Sequence, residues 1–573
     1  MKSKMRKLIR VILGLTMMLS IAIGVVNSVI ADEISDITTP FELTKNTART
    51  EIEAAIAAGK AAGATVAIMD GREFVYAEGF GMADREKNIP VEHNTVFNIG
   101  SVSKVFAATS IMMLVDDGKV SLDEPIITYL PEFRMADERY RDITVRMLLT
   151  HSSGLPGTTA WNNFGSEYNQ NIYSELLAVL SRSTLKHKPG ELAAYCNDGF
   201  TLAEMIVAEV AGMGYGDFLI ERIFKPLAMD HTCPGFNRLP EGLTPAKYYR
   251  ADGKGEPLEI GSLLASGGLS STAEDLCRFA TTFSGSKVIL SSQSLGVMLK
   301  RQPNEFQGKL RGDGFPFGLG WDFAELTPYP EKDIVLFGKT GGTGHYNAML
   351  YTVPSQQISV AVIGSGPQCD SPGIAFKVIS AYLKEKGLIT EEETEDKEPF
   401  EAESFPTNLL AYEGYYDSVG ITMRIALDDE KGILTCYLVD GNDESALYSA
   451  IYNDGFFYDD AGNAYYFITV DETNYFVAYS PLFDFHNIKA EKIEAIAHPL
   501  ELSVPIDGKI WLRRNAKAAE AAMLTEGHII SSMLISDLPG YIDFDGLKAV
   551  KSPDYAGMPV KSMRDMSELR LYK

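Results

Sequence analysis

The sequence has 573 residues, of which 45% are hydrophobic and 23% are charged, and its formal net charge is −25. A chain of this length exceeds what one hydrophobic core holds together, so two or three domains are expected. Such an acidic protein is a poor ligand for nucleic acid, and a nucleic-acid partner is excluded. The five cysteines and eight histidines are scattered, which predicts neither a disulfide framework nor a metal site, and no cofactor is indicated.

The N-terminus has the pattern of a secretory signal peptide. Basic residues at the start precede an apolar stretch, and small residues at Val29 and Ala31 fit the cleavage rule. This predicts a leader of residues 1–31, with Asp32 as the first mature residue. An uncleaved membrane anchor formed by residues 8–26 is the alternative. Both interpretations place the body of the protein outside the cytoplasm, either secreted or tethered to a membrane.

Residues 32–388 are predicted to form one α+β domain. Apolar residues recur with helical spacing in some stretches and with strand alternation in others. In chain order, the predicted elements are a helix over 41–62, a hairpin turning at Asp70-Gly71, a helix after Ser101 that ends at Gly118, helices within 143–157 and 189–212, a helix capped by Thr272, antiparallel strands over 334–366 and a helix over 373–387. This order favours an antiparallel sheet packed against helices over a parallel sheet.

Two further segments follow this domain. Residues 389–404 are acidic and almost devoid of apolar side chains, as expected for a linker. Residues 405–573 carry short runs rich in Tyr and Phe, separated by turn residues. This pattern predicts a β-rich accessory domain, either a small barrel or a sandwich, with a helical segment near residue 520.

Ser101 and Lys104 stand three residues apart at the start of a long apolar helix. Residues i and i+3 share a helix face, so the hydroxyl and the amine are expected side by side. Free backbone N–H groups in the first turn favour negative charge that develops at the serine. The same spacing recurs at Ser183 and Ser284, but those copies lie at the end of a helix and in a loop. The pattern at Ser101 alone also fits a surface serine beside a solvated lysine.

A second candidate motif is Tyr195-Cys196-Asn197, in a loop before a helix. The phenol can relay a proton if a neighbouring cation lowers its pKa. The carboxamide of Asn197 can bind a substrate amide or the Lys104 amine. Taken singly, the motif is also what a packed loop tyrosine would give.

A third candidate motif is Lys339-Thr340-Gly341-Gly342, in the strand region. A strand lysine can present a positive charge, and small residues let a substrate approach the backbone. The structural alternative is an exposed edge strand whose lysine prevents pairing with a strand of another chain. The nearby His345 is expected to face solvent, and the alternative is that it adds a second polar group to this motif.

The three motifs together, in this order, resemble those of the penicillin-recognising serine hydrolases, and among these the class C β-lactamase-like group most closely. Similar segments are FNIGSVSK, LLTHSSGLP, PGELAAYCNDGF, GGLSST, FGLGW and GKTGGTGHY. The resemblance covers about residues 45–388 and implies a β-lactamase/transpeptidase-like fold. Two positions depart from the common pattern: Lys339 stands where many relatives have a histidine, and Cys196 stands where serine or alanine is more usual.

The resemblance also implies roles for the motif residues. Ser101 would attack a carbonyl, and either Lys104 or Tyr195 would accept its proton, a choice that the sequence leaves open. Tyr195 would then protonate the leaving group. The remaining assignments place the Ser101 and Gly342 N–H groups in the oxyanion hole, Asn197 against the substrate amide, and Lys339 and Thr340 against a substrate carboxylate, with Gly341 as a further substrate-binding residue.

The implied function is that of an extracytoplasmic serine hydrolase acting on amide or ester bonds. Substrates of such enzymes are small molecules or peptides, including D-amino-acid peptides, peptidoglycan-derived peptides, β-lactams and small esters. D-Ala-D-Ala carboxypeptidases, D-aminopeptidases and esterases belong to the same group. The alternative is a penicillin-binding or wall-binding sensor with the same fold and little turnover, against which the three intact motifs argue. The sequence lacks a Gly-x-Ser-x-Gly elbow, which excludes an α/β-hydrolase.

Overall fold

The computed structural model describes residues 41–571, except for 160–162, 285–288, 330–331, 333, 391–400, 419–420, 513–528, 545, 563 and 566–567. The leader predicted for residues 1–31, most of the predicted linker and the helical segment predicted near residue 520 lie outside the described residues. Among the helices within the described ranges, none combines the length and apolar character needed to cross a bilayer.

A seven-stranded antiparallel sheet forms the centre of the N-terminal domain. The strands of this domain are β1 Gly63–Asp70, β2 Glu73–Asp84, β3 Ile89–Pro90, β4 Phe97–Asn98, β5 Phe164–Gly165, β6 Ile260–Gly261, β7 Ser270–Ser271, β8 Phe323–Tyr329, β9 Ile334–Gly342, β10 Tyr346–Val353 and β11 Ile358–Ser365. The sheet order is β3-β2-β1-β11-β10-β9-β8, while β4 pairs with β7 and β5 with β6. Strands from the two ends of the domain therefore pair near the middle of the sheet, with Val66 opposite Val362.

Helices cover both faces of this sheet. They are α1 Glu42–Ala57, α2 Ser103–Asp116, α3 Val145–Leu149, α4 Ile172–Leu180, α5 Asn197–Ala211, α6 Tyr215–Leu219, α7 Lys225–Leu227, α8 Ala273–Ala280, α9 Ser292–Met298 and α10 Ser371–Glu385. Val66 and Ile68 of β1 pack in one apolar cluster with α1 and α10, whereas Ala67 and Met69 pack in another with α2 and α8. Because side chains alternate along a strand, β1 is buried on both faces.

The predicted α+β fold is confirmed. The hairpin turns at Asp70-Gly71 as expected, and Gly118 has the left-handed conformation, with φ of 69°, that ends α2. Thr272 caps α8 by accepting the backbone N–H of Asp275. Within 143–157 the helix is only Val145–Leu149, since His151 adopts φ of 61° and such a residue terminates a helix.

Beyond residue 405 the chain forms two antiparallel sheets. The first closes into a barrel of β12 Gly414–Ser418, β13 Ile421–Asp428, β14 Ile433–Asp440, β15 Asp443–Asn453, β16 Phe456–Asp459, β17 Ala464–Val470, β18 Thr473–Ser480 and β19 Phe485–Lys492. The second is six-stranded and contains β20 Lys509–Leu512, β21 Ile529–Leu534, β22 Tyr541–Phe544, β23 Leu547–Ser552, β24 Tyr555–Gly557 and β25 Leu569–Arg570. The predicted sheet-rich C-terminal region is confirmed, and the segment that the sequence suggested as one domain contains two separate sheets.

The barrel packs against the N-terminal domain beside the loop that carries Tyr195. Leu192 and Ala194 of this loop share an apolar cluster with Phe306 and with Tyr475 of the barrel. The rings of Phe306 and Tyr475 meet edge to face, with 4.9 Å between centroids. The C-terminal region therefore borders the loop in which the second motif lies.

Candidate active site

Ser101 lies in a short 3-10 turn, Gly100–Val102, that leads directly into α2. Gly100 adopts φ of 50°, and its N–H donates to Asn98 Oδ1 at 2.7 Å. Ser103 Oγ donates back to Gly100 O at 2.7 Å. These bonds fix the turn ahead of the helix. Ser101 is consequently held at the N-terminal end of a buried helix, with 5% of its surface exposed.

Lys104 is fully buried and contacts three acceptor groups. Its Nζ lies 3.0 Å from Ser101 Oγ, 2.7 Å from Asn197 Oδ1 and 2.5 Å from Ser266 O. Burial lowers the pKa of Lys104 well below its ordinary value, and two neighbouring cations act in the same direction. The structure therefore brings the first two motifs together around the lysine amine.

Tyr195 and Asn197 stand at the start of α5. Asn197 is its first residue, and its Nδ2 donates to Thr158 Oγ1 at 2.9 Å, which orients Oδ1 towards Lys104. Tyr195 Oη accepts a hydrogen bond from Lys339 Nζ at 3.3 Å. Burial raises the pKa of Tyr195, and the charge of Lys339 opposes this effect. The third motif is thereby linked to the second.

His151 supports the phenol ring of Tyr195 from one side. The imidazole stacks on the phenol with 4.2 Å between centroids and 24° between planes. Its Nδ1 accepts the Cys196 N–H at 2.9 Å, so the proton of the neutral ring belongs on Nε2. Burial lowers the pKa of His151 well below its ordinary value. His151 is therefore a neutral aromatic platform that holds Tyr195 in place.

Three basic side chains surround the same phenol ring. Lys104 Nζ lies 4.9 Å from the ring centroid, Lys339 Nζ 5.2 Å and Arg564 Cζ 4.8 Å. Positive charge over the face of an aromatic ring is attracted by the ring quadrupole. Arg564 precedes β25 in the chain, so the C-terminal region contributes a cation to the candidate site.

Lys339 and Thr340, near the end of β9, both bind the carboxylate of Asp322. Lys339 Nζ donates to Oδ1 at 2.6 Å, and Thr340 N and Oγ1 donate to Oδ2 at 3.1 and 2.5 Å. The Lys339 side chain is fully buried and that of Asp322 is 7% exposed, which makes this a buried ion pair. Residues assigned by resemblance to a substrate carboxylate thus already hold a carboxylate of the protein.

The turn at Gly100 and the end of β9 touch through their backbones. A Cβ atom added to Gly100 would lie 2.6 Å from Gly342 N, and one added to Gly341 would lie 2.0 Å from Ile99 O. Both positions require glycine because any side chain would collide with backbone atoms. The contact brings Gly342 next to the turn of Ser101, so the two residues assigned by resemblance to the oxyanion hole are neighbours.

A cavity between the N-terminal domain and the barrel reaches Tyr195 and Arg564, with His486 on the barrel side. Arg564 is fixed by its backbone, since its carbonyl accepts a hydrogen bond from Lys186 Nζ at 2.7 Å. The same carbonyl would lie 2.3 Å from a Cβ atom added to Gly157. This close packing makes Arg564 part of the wall of the cavity.

Four residues of the site were not predicted from the sequence: His151, Ser266, Asp322 and Arg564. His151 lies inside LLTHSSGLP and Asp322 directly follows FGLGW, so the resemblance of these segments could have indicated both. Ser266 contributes a backbone carbonyl, which no pattern of side chains reports. Arg564 is remote from every motif in the sequence and has no signal of its own.

The prediction that His345 faces solvent is wrong. His345 is 4% exposed and its ring lies 4.7 Å from that of Tyr248, and burial lowers its pKa to about 4. Elsewhere, all five cysteines are buried and unpaired. Over the described ranges, no group of three or more His, Cys, Asp or Glu side chains is placed to hold a metal ion.

A family model described as Beta-lactamase matches residues 48–373, just over half of the chain. Penicillin-binding protein 4* of Bacillus subtilis (strain 168) is 26% identical over 306 residues, which cover 50% of this chain and 64% of that protein. A putative penicillin-binding protein, PbpX, of the same organism is 30% identical over 220 residues, or 38% of this chain and 53% of that protein. The chain thus spans less than two thirds of the length of these curated relatives.

Solved structures share the fold. The octameric penicillin-binding protein homologue from Pyrococcus abyssi matches with a TM-score of 0.52 and 22% identity, covering 78% of this chain and 100% of that chain. A class C β-lactamase matches with a TM-score of 0.51 and 23% identity, covering 60% of this chain and 100% of that chain. At these identities the structural matches establish the fold alone.

Proposed function

Because the chain belongs to the β-lactamase family of serine hydrolases, we propose that it cleaves amide or ester bonds through an acyl-enzyme on Ser101. The observation that carries this proposal is the 3.0 Å contact between Ser101 Oγ and Lys104 Nζ, both buried at the start of α2. A serine hydroxyl is a weak nucleophile until an adjacent base takes its proton. The leader pattern of residues 1–31 supports a place of action outside the cytoplasm.

The hydrogen bonds of Lys104 favour this lysine as the base. A neutral amine has two N–H donors and one lone pair. Asn197 Oδ1 and Ser266 O can accept only, so they use the two donors. The lone pair is then left for the hydroxyl of Ser101, which can donate. Burial, together with the charges of two neighbouring cations, lowers the pKa of Lys104 well below its ordinary value and so favours this form.

Tyr195 suits the complementary role of acid. Burial raises the pKa of Tyr195, so the phenol keeps its proton until it transfers this proton to the leaving group. In the proposed step the Ser101 Oγ–carbon bond forms and its proton passes to Lys104. The bond to the leaving group then breaks, and that group takes the Tyr195 proton. Lys104 returns its proton to the phenolate, and water releases the acyl group by the reverse sequence.

The proposal is tested by treating the wild-type protein with a fluorophosphonate, which phosphonylates a reactive serine with loss of fluoride, and, separately, with a chromogenic carboxylic ester, which acylates it. Peptide mass spectrometry should find the phosphonate adduct on the peptide that contains Ser101. The ester should be hydrolysed over many turnovers. A sensor with the same fold would instead stop at a stable acyl adduct. An adduct on any other serine contradicts the assignment of Ser101.

Tyr195→Phe should harm amide cleavage more than ester cleavage. An amine leaves poorly without a proton, whereas a nitrophenolate leaves readily. We expect kcat/KM to fall about 100-fold or more for an amide and about tenfold or less for a nitrophenyl ester. Tyr168→Phe, which alters a tyrosine that is 40% exposed, should change neither value. Equal losses on both substrates would argue against Tyr195 as the proton donor.

Arg564→Gln should move the acidic limb of the kcat/KM profile to higher pH. The charge of Arg564 helps to lower the pKa of Lys104, so its removal lets the lysine hold its proton to a higher pH. Arg564→Lys keeps the charge and should restore most of the profile. Arg570→Gln is the matched control, because Arg570 pairs with Glu568 at 3.2 Å. If the acidic limb of the kcat/KM profile is unchanged in Arg564→Gln, the charge of Arg564 does not lower the pKa of Lys104.

A further inference from the structure

The carbonyl of Ser266 helps to aim the amine of Lys104, and it lies in the short segment Leu264–Gly268. Its oxygen is 2.5 Å from Lys104 Nζ and 3.4 Å from Ser101 Oγ. The lone pair of a neutral amine points away from its two N–H bonds. A shift of this carbonyl would therefore turn the lone pair of Lys104 away from the serine.

Glu204 on α5 holds the residue next to Ser266. Its Oε2 accepts the backbone N–H of Ala265 at 2.8 Å, and its Oε1 accepts the hydroxyl of Tyr173 at 2.5 Å. Glu204 and Ala265 are both buried, so water cannot replace the carboxylate as the acceptor of this N–H. The carboxylate thus anchors the backbone one residue before the carbonyl that Lys104 uses.

The same helix also binds Lys104 directly. Asn197 and Glu204 both lie on α5, about two turns apart, so their side chains share one face of the helix. Asn197 Oδ1 accepts one N–H of the Lys104 amine at 2.7 Å, while Glu204 holds the segment that accepts the other. Both acceptors of the amine are therefore held by one helix.

The carboxylate of Glu204 is costly at this place. Moving it into an apolar interior costs free energy, and burial raises the pKa of Glu204 to about 7. A methionine of similar length would fill the same space without this cost. A methionine could not bind the Ala265 N–H as a carboxylate does, and this hydrogen bond is what Glu204 adds to the site.

We propose that Glu204 is a positioning residue for the general base: through Ala265 it holds the Ser266 carbonyl where the lone pair of Lys104 faces Ser101. Glu204 belongs to none of the three motifs, and the inference rests on the proposed acyl transfer at Ser101. The role requires an acceptor that reaches the Ala265 N–H. It does not require a negative charge.

Three substitutions of Glu204 separate reach from charge. Glu204→Asp keeps the charge but withdraws the acceptor by one methylene group, and Glu204→Met keeps the length but offers only a weak thioether acceptor. Both should lower the plateau of kcat/KM for a nitrophenyl ester by about tenfold or more, as a misplacement of about 1 Å can do. Glu204→Gln keeps a carbonyl acceptor and should keep the wild-type rate. Glu209→Met, at an exposed position of the same helix, is the matched control and should change nothing.

The pH profile distinguishes positioning from a loss of folded protein. A carbonyl acceptor stabilises a lysine ammonium more than a neutral amine. Withdrawing Ser266 O should therefore lower the pKa of Lys104 and move the acidic limb of kcat/KM to lower pH in Glu204→Asp and Glu204→Met. Partial unfolding would lower the rate without moving the limb. NMR of isotope-labelled lysine side chains, with Lys104→Gln to assign the signal, follows the same pKa without turnover.

The inference is overturned if Glu204→Gln loses as much activity as Glu204→Met, because the charge would then be the property that matters. A wild-type plateau and limb in Glu204→Asp overturn it as well. If Glu204→Met does not fold, Glu204→Asp and Glu204→Gln still decide between reach and charge. A wild type that never acylates Ser101 contradicts the proposed function, whereas an unmoved Lys104 signal in Glu204→Asp contradicts the positioning role alone.

Discussion

Ser101→Ala should abolish covalent labelling and lower ester hydrolysis by about 10⁴- to 10⁶-fold, as removal of a serine nucleophile does elsewhere. The hydroxyl that Lys104 Nζ contacts at 3.0 Å is the one removed. The oxyanion hole and the binding groups would remain and would account for the residual rate. Labelling is measured by peptide mass spectrometry and hydrolysis by release of a chromophore.

Ser183→Ala is the control for this variant because Ser183 has the same spacing to a lysine, Lys186. Its hydroxyl donates to the Val179 carbonyl at 3.0 Å. This hydrogen bond gives a backbone carbonyl at the end of α4 a donor and does not activate the serine as a nucleophile. Full activity is expected. Labelling that persists in Ser101→Ala, or that disappears in Ser183→Ala, would show that the wrong serine had been identified.

Lys104→Gln should lower the rate of acylation by about 10³- to 10⁴-fold, because a glutamine cannot take the proton of Ser101. In the wild type, kcat/KM should rise with pH as Lys104 loses its proton, at a pH well below the ordinary range of a lysine. In the variant, this rise of kcat/KM with pH should be absent. Pre-steady-state acylation with a nitrophenyl ester, followed across pH, measures both effects.

Stability separates this catalytic loss from damage to the fold. The unfolded chain keeps Lys104 protonated at neutral pH, whereas the folded site favours the neutral amine, so the unfolded state binds more protons. Wild-type stability therefore falls as the pH falls towards the folded pKa. A glutamine side chain is uncharged in both states, so folding does not require it to lose a proton. Lys104→Gln should therefore be at least as stable as the wild type at neutral pH. Lys188→Gln, at a site 63% exposed, should leave rate and stability unchanged, and loss of stability in Lys104→Gln would contradict the buried neutral amine.

The residues of the candidate site could be predicted where they lie close together in the sequence, within one short motif. Ser101 and Lys104 lie at one helix start, as their spacing predicted, whereas Asn197, predicted in the loop before a helix, is the first residue of α5. Asp322 and Arg564 belong to the site through contacts between distant segments. Arg564 reaches the ring of Tyr195 from the other end of the chain. No periodicity within the sequence encodes such a contact.

The fold followed the same division. Strands of the central sheet alternate apolar residues or join at Asp70-Gly71, and these local signals were sufficient for an α+β assignment. In the C-terminal region the strands were recognisable, but their partners were not. A barrel forms there because β12 pairs with β19, with Tyr416 opposite Lys492, and the sequence does not specify whether the first and last strands of a run meet.

The pairing of β1 with β11 also sets the order in which the protein can assemble. The two strands are about 300 residues apart, which is a strongly non-local contact. A chain emerging from a ribosome presents Ser101 long before Lys339 and the strands that hold it have appeared. The candidate site therefore forms only after the chain has been made at least as far as the end of β11 at Ser365.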